Sequence, residues 1–156
     1  MEKRQVIRIM KRSGYRTYIT SRSFGGMTIP APAQNILLRT YAEKNNLEYM
    51  LPVNEFMFEN CYIQLEAVLE ELSTIEGILM CSLFMLPEDK EKRNEVYKKL
   101  HEKKAKMYFA LEDLSITKPG DENFVEELLL INQTLADCPK SLPQETLPSV
   151  KYNTTF

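Results

Sequence analysis

Apolar and polar positions divide the chain into strand-like and helix-like segments that take turns. Tyr15 to Thr20 is aromatic and β-branched, follows Gly14, and predicts a first strand. Ser21 to Ile29 reads as a loop that bends at Gly25-Gly26, and Pro32 opens a helix. From Ala33 to Lys44, Ile36, Leu37 and Tyr41 recur at helical spacing, and Asn45-Asn46 ends the run. Leu47 to Leu51 predicts a second strand, stopped by Pro52, and Val53 to Asn60 a loop. Leu65, Val68, Leu69 and Leu72 form an i, i+3, i+4, i+7 stripe on a second helix. The continuous run Gly77 to Cys81, within Ile75 to Ser82, predicts a central strand buried on both faces. Pro87-Glu88-Asp89 starts a third helix with Val96, Tyr97 and Leu100 inward. Lys106 to Leu111 predicts a fourth strand. Asp121 or Glu122 opens a last helix with Phe124, Leu128, Ile131 and Leu135 on one face.

This alternation predicts one three-layer α/β domain over residues 14–137, with about four mainly parallel strands and helices on both faces. The expected strand order is 2-1-3-4, flavodoxin-like, with the switch point between the first and third strands. Residues 1–13 form a basic arm, and the proline-containing 138–156 an irregular tail.

Composition changes this picture little. The chain has 156 residues, enough for one sizeable core, and its net charge of −2 shows no bias toward nucleic acid. The basic residues are uneven: Lys3, Arg4, Arg8, Lys11, Arg12, Arg16 and Arg22 crowd the start. Either this arm touches phosphates or it is a solvated terminus. Cys61, Cys81 and Cys138 lack metal-ligand spacing and, with His101 the single histidine, predict neither a zinc site nor a disulfide framework. No metal or particular cofactor is indicated. The odd cysteine count and the lack of a recognisable leader or spanning segment lead to the expectation of a cytoplasmic protein.

The candidate chemistry gathers at the carboxyl ends of the strands, where open α/β sheets bind ligands. Ser21-Arg22 ends the first strand, Gln34 and Asn35 lie on the first helical turn, Glu55 follows the second strand, Ser82 the third and Glu112 the fourth. Arg22 beside helix N-termini suits an anion, or else it pairs with Glu55 or Glu112 and closes the sheet end. Ser21 is either a nucleophile short of a base or a turn residue. Glu55 and Glu112 form either an acid/base pair or ion pairs. Cys61, at a helix start, is either reactive or a small core residue. Phe56-Met57-Phe58 suggests a buried lid or a surface for a protein partner or self-association.

Gly14-Tyr15, Ser21 and Gln34 stand in an order similar to the catalytic domain of serine recombinases (resolvases). The chain departs from that pattern at Ser82-Leu83-Phe84-Met85-Leu86-Pro87, which lacks the recombinase arginines, and no helix-turn-helix or basic face follows. DNA is therefore not an expected partner. A broader set of stretches resembles the sporadic carbohydrate cluster family of bacterial proteins. They are Gly14-Tyr15-Arg16, Tyr18-Ile19, Ser21-Arg22, Ile29-Pro30, Pro32, Gln34-Asn35, Glu55, Cys61-Tyr62, Leu65-Glu66, Ser82 to Pro87, and Phe109 to Glu112, within residues 14–116. That resemblance implies a role in surface-polysaccharide biosynthesis and gives no reaction.

The sequence thus leads to the expectation of a carbohydrate-pathway protein that binds a nucleotide sugar or sugar phosphate through Ser21, Arg22, Gln34, Asn35, Glu55, Ser82 and Glu112. Catalysis is left open, with Ser21, Glu55 and Glu112 as candidates. One alternative is a non-enzymatic accessory protein on a degenerate resolvase-like fold. The other is a Ser21-dependent phosphoryl-transfer or DNA-acting enzyme.

Overall fold

A computed structural model describes residues 11–138. Residues 1–10 of the expected arm and 139–156 of the expected tail lie outside the described residues. The elements run β1 (Tyr15–Thr20), α1 (Ala31–Lys44), β2 (Tyr49–Glu55), α2 (Ile63–Glu70), β3 (Gly77–Met80), α3 (Lys90–Glu102), β4 (Lys106–Phe109), β5 (Leu114–Ile116) and α4 (Glu122–Asp137). Short 3-10 turns occupy Glu71–Ser73 and Leu83–Met85.

The strands form one sheet in the order β2-β1-β3-β4-β5, parallel except for the β4–β5 pair. The expected α/β class and the order 2-1-3-4 both stand, with β5 added at the far edge. β5 is three residues long and folds back on β4 through Asp113, whose φ is +51°. So short a hairpin has no readable alternation. The chain moves one way across the sheet from β1 to β2 and the opposite way from β2 to β3 and β3 to β4. Right-handed crossovers then put α1 on one face and α2 and α3 on the other.

Burial of the central strands follows from that sandwiching. Every residue of β3 is buried, as its unbroken apolar run predicts. Leu65, Val68, Leu69 and Leu72 are all buried, so the predicted stripe of the second helix is the packing face. Two other helix faces match their predicted stripes only in part: Leu37, Tyr41 and Leu128 pack against the core. In α1 the buried residues are Gln34, Leu38 and Ala42, while Ile36 points to solvent. In α4 only Val125 is fully buried, and Phe124, Ile131 and Leu135 are exposed. The salt bridge of Arg93 to Glu126, at 2.7 Å, fixes which side of α4 meets α3, and Val125 is its neighbour.

β2 runs through Pro52 rather than stopping there. The register against β1 slips between Arg16 and Tyr18, which face Met50 and Val53, so Leu51 and Pro52 sit at a bulge on an edge strand. A proline that cannot donate is tolerated in that position. The third helix starts at Lys90, with the Asp89 side chain accepting from Glu91 N at 2.9 Å. Pro87 therefore precedes the helix rather than opening it. Arg12 is docked on the fold: it donates to the carbonyls of Ile75, Lys103 and Leu72.

β3 and β4 lie so close at Gly77 that an added Cβ would collide with the Lys106 carbonyl. Backbone cannot yield there as a side chain can. Gly77→Ala is expected to lower unfolding free energy by about 1–3 kcal/mol, read from urea melts at constant m-value.

Candidate functional site

The centre of the candidate site is the end of β1. β3 pairs with β1 only as far as Tyr18, whereas β1 continues to Thr20 beside β2. The buried Gln34 side chain takes over. It accepts from Thr20 N at 3.2 Å and donates to Thr20 O at 2.6 Å and Ile29 O at 2.7 Å. This clamp satisfies two buried backbone groups and fixes where the next residue emerges. That residue is half-buried Ser21, whose hydroxyl makes no hydrogen bond among the described residues.

Arg22 is held without being neutralised. Its backbone N–H and Nε reach Thr20 Oγ1, at 3.2 and 3.4 Å. Nη1 donates to Phe58 O at 2.9 Å. The guanidinium carbon lies 4.8 Å from the centre of the Tyr62 ring, and Lys92 Nζ lies 5.8 Å from the same ring. Among the described residues, no carboxylate lies within salt-bridge distance of Arg22. Its charge is felt nearby: burial pushes the Tyr18 and Tyr62 phenols upward, and Arg22 pulls both back.

Two walls flank this pair. One is the Phe24–Met27 turn, closed by paired hydrogen bonds of 2.8 and 2.9 Å, with positive φ at Gly25 and Gly26. That geometry is the twisted turn in which glycine carries no steric penalty. Gly25 also presses on the Phe84 ring, where a Cβ would come within 2.7 Å. The other wall is the Phe56–Tyr62 loop that Arg22 holds through Phe58.

The two glutamates are occupied in separate structural tasks. Glu55 is buried and accepts from Tyr18 OH at 3.0 Å and from the N–H groups of Phe56, Gln64 and Leu65. Its carboxylate thus caps the N-terminus of α2, where the helix dipole favours negative charge. Glu112 accepts from Ser82 Oγ at 2.5 Å and from Leu83 N at 3.2 Å, joining the ends of β3 and β4. Ser82 in turn caps the following 3-10 turn by accepting from Phe84 N. Neither glutamate pairs with Arg22, and they do not meet as an acid/base pair. Asn35 accepts from Tyr49 OH at 3.4 Å and faces the β2 side.

The single histidine does not serve Ser21. His101 lies near the C-terminus of α3, which runs antiparallel to the strands, so it stands toward their amino ends. It contacts Glu122 at 3.0 Å. Cys61 is half-buried, with its thiol 3.8 Å from Glu55. Burial, with the Glu112 charge second, pushes the Cys81 thiol up to about 12. No cluster able to hold a metal ion occurs among the described residues. Nor is any helix among them long and apolar enough to cross a membrane.

Sequence reasoning did not find Tyr62 and Lys92 as neighbours of Arg22, nor Phe84 beneath Gly25. Each contact joins segments far apart in the chain, and Lys92 belongs to the Lys- and Glu-rich outer side of the third helix.

The fold resembles two solved structures. The N-terminal catalytic domain of TP901-1 integrase matches with a TM-score of 0.56 at 15% identity, over 78% of this chain and 97% of that one. A resolvase family site-specific recombinase from Streptococcus pneumoniae matches with a TM-score of 0.55 at 11% identity, over 79% and 91%. No known family's sequence model matches the chain, and no curated protein matches it. The recombinase resemblance therefore holds at the level of fold, and nothing supports the sporadic carbohydrate cluster family. Those neighbours overturn the expectation of a carbohydrate-pathway protein and of a nucleotide-sugar or sugar-phosphate ligand. The expectation that DNA is not a partner falls with them.

Removing the clamp should loosen the site selectively. Gln34→Ala leaves the buried Thr20 N–H and C=O unpaired, a cost of about 1–3 kcal/mol. In the native protein at pH 8 the buried, protonated Cys81 is expected to resist thiol reagents while Cys138 reacts. Gln34→Ala should speed Cys81 labelling, because Cys81 Sγ packs 4.0 Å from Gln34 Oε1. Unchanged labelling kinetics and melting would show that the clamp is dispensable.

Proposed function

We propose that this is a DNA-acting protein of the serine-recombinase type, in which Ser21 and Arg22 engage a phosphodiester. One observation carries the reading. At the end of β1, Ser21, whose hydroxyl has no hydrogen-bond partner among the described residues, is followed directly by Arg22, whose guanidinium no carboxylate among them neutralises. The fold resemblance to an integrase catalytic domain and a site-specific recombinase supports the same reading.

In the proposed step, Ser21 Oγ attacks phosphorus and a Ser21–phosphate ester forms. One P–O ester bond of the DNA breaks. The serine proton passes to water, and the leaving oxygen takes a proton from water. Arg22 balances the charge on the non-bridging oxygens, a contribution that grows where water is excluded. Residues 1–13 extend the contact: the clustered Lys3, Arg4, Arg8 and Lys11 suit the backbone of a duplex whatever its sequence. The domain over 14–137 is the unit that carries the site. The setting is cytoplasmic, in keeping with three free cysteines.

A second reading is DNA binding without cleavage. It is favoured by the absence, among the described residues, of a base hydrogen-bonded to Ser21 and by the duties that Glu55 and Glu112 already perform.

The test is a duplex with a nick placed so that the cleaved strand end diffuses away. The expected outcome is a protein–DNA adduct that survives SDS, forms with the full chain and is lost in Ser21→Ala. Arg22→Ala should reduce it by roughly 100-fold or more, the scale of losing one charge-stabilising donor. Binding without adduct would select the second reading. An adduct that persists in Ser21→Ala would remove Ser21 from the chemistry.

A further inference from the structure

The loop held by Arg22 exposes three apolar side chains in a row. Phe56, Met57 and Phe58 are 46%, 73% and 74% exposed. Their backbone is tied to the site, because the Phe58 carbonyl accepts from Arg22 Nη1 at 2.9 Å. The loop ends at Tyr62, whose ring has Arg22 and Lys92 within 4.8 and 5.8 Å. Apolar surface of this kind is costly to leave in water, and the β1 end neither covers it nor needs it for packing.

We infer that Phe56, Met57 and Phe58 form a wedge that stacks on unpaired bases of the strand whose phosphate meets Arg22. This inference rests on the DNA reading above and names its substrate: DNA that is locally opened or easily unstacked. Complementarity argues for that occupant. Arg22, which pairs with no carboxylate among the described residues, holds the base of the wedge through Phe58 O and matches a phosphate backbone that continues past the stacked bases. The acidic neighbours are Glu55, Glu59 and Glu88, with Glu66 and Glu95 on the Lys92 side of Tyr62, and none of them pairs with Arg22. Glu55 is buried and held by the α2 N–H groups, and Glu59 is on the solvent side of the same loop. Aromatic side chains beside cations are the combination that binds single strands, because every base offers a π face. Apolar wedges that enter a base step unstack it in the same way.

The geometry also links the two functions. A strand seated on Phe58 presses on the loop that Arg22 holds, so base stacking and phosphate contact are coupled through one hydrogen bond. Arg22→Ala should therefore weaken both.

The experiment is fluorescence anisotropy of the full chain with two labelled DNAs, a fully paired duplex and the same duplex with a central bubble of unpaired bases. Stacking of one base corresponds to roughly a 5- to 150-fold preference, so the bubble should bind at least about fivefold more tightly. The double variant Phe56→Ala, Phe58→Ala changes exposed positions only, and circular dichroism checks its fold. It should bring the preference close to one. Equal binding of the two DNAs, or a preference that survives the double variant, overturns the wedge. Duplex binding together with a Ser21-dependent adduct would then leave the DNA reading standing. Loss of all binding to both DNAs overturns both. Concentration-dependent dimerisation by sedimentation velocity, abolished by the double variant without any change in DNA preference, would assign the patch to a second copy and overturn the wedge.

Discussion

The site depends on a backbone that outruns its neighbour. β1 extends two residues past the last residue of β3 that pairs with it, and such an overhang leaves buried peptide groups without a ladder. Gln34 replaces the missing strand with a side-chain amide that donates and accepts like a peptide group. Because Gln34 sits on the first turn of α1, one residue sets both the start of that helix and the direction in which Ser21 leaves the sheet. Ser21, Arg22 and the Gly25-Gly26 turn all inherit their positions from this contact.

Two further ties hold the sheet end together. Glu55 anchors the start of α2 to the end of β2 through the Gln64 and Leu65 N–H groups, and Glu112 with Ser82 joins β3 to β4. Carboxylates engaged in this way have their lone pairs committed to the fold, which leaves them poorly placed to exchange a proton with a substrate. The chemistry left at the surface is sparse: a hydroxyl, a guanidinium and an aromatic ring with two cations. That inventory suits charge balance and positioning of a phosphodiester better than acid/base work on a sugar.

Much of the frame was legible in the residues. Tyr15 to Thr20 announces its strand by composition, the Leu65 to Leu72 stripe its buried face, and Gly77 to Cys81 its central place. Errors arose where tertiary contact decides. Ile36 and Leu37 share a plausible stripe, but Gln34 turns α1 so that Leu38 and Ala42 face the core. α4 is apolar on more than one side, and the Arg93–Glu126 pair selects Val125 over Phe124. The position of Ser21-Arg22 just past the end of β1 could be read from the strand and loop pattern. The duties of Glu55 and Glu112 could not, because both depend on backbone N–H groups from other segments. The family suggested by scattered short matches finds no support, whereas the fold, a property of the whole chain, does.

The most direct test of the account is an amide NMR titration of the full chain with a short DNA containing a bubble. The account predicts chemical-shift changes concentrated at Thr20 to Met27 and Phe56 to Tyr62, the two segments that Arg22 joins. Shifts centred instead on the groove between α3 and α4, or no shifts at DNA concentrations that saturate an anisotropy signal, would contradict it.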